Sequence, residues 1–139
     1  MLDAIVGFKS QQAAAKQARI IGDYNAKIAE NEAVLLRRQK ADEEANLRQN
    51  SERLIATQRV ATAASGVQMS GSPMQAIADA YFNTELDALR VQYAGDIAEA
   101  AKISEANLAR AGGRARSQAY KMQSYQTLLE GAEKFAKRL

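Results

Sequence analysis

Ala63-Ala-Ser-Gly-Val-Gln-Met-Ser-Gly-Ser-Pro-Met-Gln75 contains the only proline of this 139-residue chain and separates two long alanine-rich segments. Gly66 follows Ala61-Thr-Ala-Ala-Ser65 and can take the left-handed conformation that ends a helix, while Gly71 keeps the connection pliable. Ser72 then reads as an N-cap, Pro73 suits the first helical position, and Gln75 is placed to close a capping box. The stretch predicts a turn over 65–72 between two helices, hence an all-α helical hairpin.

Composition narrows the class further. Aromatics make up 6% of the chain, tryptophan is absent, and 29 residues are alanine. Small side chains let helices approach closely but bury little area, and each buried CH₂ contributes only about 0.8 kcal/mol. Such a hairpin is expected to complete its burial against other copies or other proteins. Cysteine and histidine are both missing, which removes disulfides, thiolate nucleophiles, imidazole bases and most zinc chemistry. The chain therefore reads as a non-enzyme without cofactor or metal. Its net charge of +3 is a mild basic bias.

Met1 to Phe8 reads as a separate apolar tip set off by Gly7, suited to docking on a partner or dipping into a bilayer. It carries Asp3 where a secretory signal needs a basic region, and no run reaches the length of a membrane span. Residues 9–139 form one helical domain in this reading. A first helix is expected over about 9–64, roughly 84 Å at the standard rise, with Gly22-Asp23 as a candidate break. Its apolar stripe, Ile21, Tyr24, Ile28 and Leu35, follows heptad-like spacing, and Leu36 to Leu47 is a step of eleven. Arg38/Asp42, Lys40/Glu44 and Glu44/Arg48 stand at i,i+4 spacing on a polar face.

A second helix is expected over about 73–111. Phe82, Leu86, Leu89, Tyr93 and Ile97 recur every three or four residues, the pattern of one buried face, with Ile77, Tyr81, Ala88 and Val91 as a partial stripe beside it. Gly112-Gly113 predicts a hinge, because two glycines cost a helix roughly 2 kcal/mol relative to alanines. A third helical piece follows over about 114–137, with Met122, Tyr125, Leu129, Ala132, Ala136 and Leu139 in its stripe. Either a hinged return arm or a folded-back third helix satisfies this pattern. The basic cluster Arg110, Arg114, Arg116 and Lys121 beside the diglycine is a candidate phosphate-facing group. Lys134, Lys137 and Arg138 suit the negative end of a helix dipole, with Glu130/Lys134 and Glu133/Lys137 as pairs.

The layout of an Ala/Gln-rich helix, then Arg59-Val-Ala-Thr-Ala-Ala-Ser-Gly-Val-Gln-Met-Ser-Gly-Ser-Pro73, then Glu85-Leu-Asp-Ala-Leu-Arg90 and a late Leu128-Leu-Glu-Gly131, resembles the small internal virion proteins of short-tailed bacteriophages, also called core or DNA-ejection proteins. The resemblance covers roughly residues 9 to 133. It implies a structural protein held in the virion interior near the portal, with portal or other internal virion proteins as partners. It further implies a homo-oligomer, a ring or tube of hairpins packed through Phe82, Leu86, Leu89, Tyr93 and Ile97, that forms a conduit for the genome across the host envelope. Transient contact with double-stranded DNA and with the host outer membrane follows from that role. The diglycine hinge and the Gly66 to Gly71 turn would let the element change shape between virion and envelope. Two other classes fit the residues alone: a helical scaffold or adaptor without membrane or DNA transit, and a basic nucleic-acid-binding coiled coil.

Overall fold

The computed structural model describes residues 2–68 and 70–137, and gives no side-chain placement for Leu2 or Phe135. Leu139 of the expected C-terminal stripe, Arg138 of the terminal basic group, Met1 and Met69 lie outside the described residues. The chain is an all-α helical hairpin: α1 runs Leu2–Ala64 and α2 runs Ser72–Ala136. Ala, Gln, Glu, Lys, Arg and Leu dominate both segments, and all are good helix formers.

The turn forms where the glycines place it. Gly66 and Gly71 have φ of 72° and 70°, and no other described residue is left-handed. At the end of α1 the Ser65 amide donates to the Ala61 carbonyl and the Gly66 amide to the Ala63 carbonyl. The start of α2 is shifted by one residue from expectation. The Gln75 amide donates to the Gly71 carbonyl at 3.1 Å, so Gly71 is the cap and Ser72 the first helical residue.

Three expected interruptions are absent. α1 begins at Leu2 and runs straight through Gly7, so residues 2–8 belong to the first helix rather than to a separate tip. Phe8 instead packs on Tyr125, with ring centroids 6.2 Å apart. α1 also continues through Gly22, and α2 through Gly112-Gly113, leaving neither a break at 22 nor a third helix.

Two packed units make up the hairpin. The first pairs residues 1–32 with 101–139, and the second is 33–100 with the turn. In the first, the seam consists of Ala15, Ala26 and Ala29 from α1 against Ala106, Ser117 and Ser124 from α2, each at most 7% exposed. Gly22 and Gly113 are buried where the two backbones meet. A Cβ on Gly113 would lie 2.9 Å from the Gly22 Cα and 3.0 Å from the Ala18 carbonyl oxygen. The diglycine is therefore half explained by close helix approach. Gly113 is fixed by the opposing backbone, while a Cβ on Gly112 would meet open space.

In the second unit the buried residues are Ala33, Ile55, Ile77 and Ala88, with a 2.6 Å hydrogen bond between the Ser51 and Thr84 hydroxyls beside them. Seam residues in both units recur at eleven-residue intervals, as in Ala15/Ala26, Ala106/Ser117, Gly113/Ser124 and Ile77/Ala88. Eleven residues complete slightly more than three helical turns, so each row stays on the neighbour. Leu36 and Leu47, the step of eleven, are half-buried.

The large apolar stripes turn away from this seam. Ile21, Tyr24, Ile28 and Leu35 of α1 are exposed, as are Phe82, Leu89, Tyr93 and Ile97 of α2, with only Leu86 half-buried. The stripe expected to be the core is thus the outer face. Small residues win the seam of the first unit because close backbone approach at Gly22 and Gly113 excludes large side chains, while the second unit admits Ile55 and Ile77.

Candidate association surface and charged flanks

The outer face of α2 in the 33–100 unit carries a regular exposed apolar stripe. Phe82, Tyr93, Leu89 and Ile97 are 64%, 69%, 55% and 54% exposed, and their spacing of seven, four and four keeps them on one face. Helical repetition aligns them, and the seam fixes their direction, since Ala88, Val91 and Gly95 face α1. Fully burying one such side chain contributes about 1.5–3 kcal/mol. The cost of association, about 4–15 kcal/mol, means that several must be covered together. α1 adds exposed Leu54 and Val60 in the same unit.

Cross-helix ion pairs flank the seam of this unit. Arg37 bonds Glu99, Lys40 bonds Asp96, and Arg48 reaches both Glu44 at 2.6 Å and Glu85 at 3.3 Å. Hydrogen bonding by Arg37 holds the Glu99 carboxyl below the usual carboxylate range, against a smaller opposing effect of desolvation. The same bond raises Arg37, and bonds to Glu85 and Glu44 raise Arg48. Of the three i,i+4 pairs expected on α1, only Glu44/Arg48 forms among the described residues. Lys40 crosses to α2 instead because Asp96 and Glu99 lie opposite it. Neither Glu130/Lys134 nor Glu133/Lys137 closes among the described residues.

In the unit of residues 1–32 and 101–139 the pairing inverts, with acids on α1 and bases on α2. Lys102 bonds Glu32 at 2.7 Å and Glu105 at 2.9 Å, and these two carboxylates raise its ammonium. Arg110 bonds Glu30 at 2.7 Å. These contacts mark the two flanks of the seam. A shallow groove on the Glu32/Glu105 flank is lined by Ile28, Ala29, Leu108 and Ala109. Arg116 stands eleven residues beyond Glu105 and so belongs to that flank. Arg114 and Lys121 stand four and eleven beyond Arg110, on the other flank. The expected basic cluster is therefore split three to one.

The hinge expected at Gly112 and Gly113 is unbroken helix, and the turn residues Gly66, Gly71, Ser72 and Pro73 form the turn and first residues of α2. No group of three or more acidic side chains suited to a metal occurs among the described residues. Among them, no helix is long and apolar enough to cross a membrane. Comparison with protein-family models, with curated proteins and with solved structures finds no match.

Proposed function

We propose that this chain is a structural subunit of a multi-copy assembly, joined through the outer stripe of α2. The reading is carried by one observation: the seam between the helices is built mainly from Ala, Gly and Ser, with Ile55 and Ile77 as its large apolar side chains, while Phe82, Leu89, Tyr93 and Ile97 stand more than half exposed. A hairpin that spends its small residues internally leaves its strongest apolar surface for neighbours.

Within that reading, the resemblance of the turn region to internal virion proteins of short-tailed bacteriophages names the assembly. The chain is proposed to oligomerise near the portal and to help form the conduit for genome ejection across the host envelope. No helix among the described residues spans a bilayer alone, so envelope passage in this proposal is a property of the assembly. Cryo-electron microscopy of the particle from which the chain is isolated tests it. Helical hairpins ringed around a portal, or forming a tube in the envelope, are expected. Density on an outer surface, or in a non-viral complex, overturns the ejection role and leaves a helical scaffold.

A further inference from the structure

We infer that one flank of the unit formed by residues 1–32 and 101–139 binds the phosphate backbone of a nucleic acid without regard to sequence. The Glu30–Arg110 ion pair identifies this flank on both helices. On α1, Lys27, Arg19 and Lys16 lie three, eleven and fourteen residues before Glu30, all on its side. On α2, Arg114 and Lys121 share the side of Arg110. A second contact fixes the same assignment. Phe8 lies eleven residues before Arg19, Tyr125 eleven beyond Arg114, and their rings meet at 6.2 Å.

Six bases therefore share one flank with two acids, Asp23 and Glu30. The difference, six minus two, is +4, against +3 for the whole chain, so the protein's positive charge is concentrated here. Apart from Arg110, none of the six forms an ion pair among the described residues, whereas Arg37, Lys40 and Arg48 of the other unit are all paired across the seam. Lys16, Arg19, Lys27, Arg114 and Lys121 are exposed. Lys16 to Lys27 and Arg110 to Lys121 each cover about 17 Å of helix, matching about five phosphates along one strand of a duplex.

The uncharged residues at the same helical spacing are Gln12, Asn107 and Gln118, which can hydrogen-bond phosphate and sugar oxygens. Ile20, 61% exposed, is the large apolar residue among the bases of α1, and a single side chain is too little to seat a helix in a bilayer, which favours nucleic acid over a lipid surface. The inference deepens the conduit reading by naming the face that meets the genome.

Fluorescence anisotropy of the full-length chain with a labelled mixed-sequence DNA duplex, titrated over salt, provides the test. Binding is expected at low salt with a logarithmic salt slope of about −4.5 to −5.4, the value for five to six phosphate contacts. Combined Lys16→Gln, Arg19→Gln, Arg114→Gln and Lys121→Gln should weaken binding about ten-fold or more and flatten the slope by about 3 to 4. Combined Arg38→Gln, Arg53→Gln, Arg116→Gln and Lys134→Gln removes equal charge elsewhere and should leave binding nearly unchanged. Equal loss in both variants, no binding at low salt, or binding to phosphatidylglycerol vesicles but not to DNA overturns the inference. Sedimentation of the same samples separates the two ideas. Intact oligomers that ignore DNA sink only the flank, and monomers that bind DNA sink only the assembly.

Discussion

Gly112 and Gly113 are neighbours with opposite demands. A methyl on Gly113 meets the backbone of Gly22 and Ala18, which cannot yield as a flexible side chain would. Gly113→Ala is expected to destabilise the fold by about 1–3 kcal/mol through overpacking. Gly112→Ala should stabilise it by about 0.5–1 kcal/mol, since the helix gains propensity and the methyl enters open space. Thermal unfolding followed by circular dichroism checks the pair. Equal shifts for both variants would mean that close approach does not explain Gly113. Gly66 and Gly71 were legible in the sequence because a positive φ is a local requirement, signalled by their neighbours. The Gly22–Gly113 contact was not, because nothing near Gly22 in sequence announces a partner on the other helix.

At the scale of the helices, register is set by ion pairs beside a seam of small residues. Lys40→Glu faces Asp96 and Glu99 with a like charge and should lower the unfolding temperature, and adding Asp96→Lys should recover part of the loss. No recovery would mean that these charges do not set the register. Glu99 titrates below its unfolded value because Arg37 bonds its ionised form. Its contribution to stability is therefore present above the ordinary carboxylate pKa of about 4.3 and lost as pH falls through the lower folded value. Thermal unfolding should drop below about pH 5, and less steeply in Glu99→Gln. Two helices and the turn were legible from helix formers and one proline. The seam was legible only in part: Ile77, Ala88 and Val91 of the lesser stripe do face α1, with Tyr81 exposed, but hydrophobicity ranks Phe82 and Leu89 above Ala88 and Gly95, whereas close packing ranks them in reverse. The eleven-residue rows of Ala and Gly were the signal available, as were Lys16/Lys27 for the basic flank.

For the whole molecule, a hairpin whose interior is mostly small residues and whose outer face carries Phe82, Leu89, Tyr93 and Ile97 makes most sense as one part of something larger. That claim is tested most directly by sedimentation velocity of the full-length chain beside a Phe82→Gln/Tyr93→Gln/Ile97→Gln variant. Each side chain is more than half exposed, so the substitutions should spare the hairpin, and circular dichroism reports whether helicity is kept. The account predicts a discrete oligomer that falls to monomer in the variant with helicity unchanged. A wild-type chain that stays a folded monomer at high micromolar concentration, or a variant that assembles as before, would contradict it.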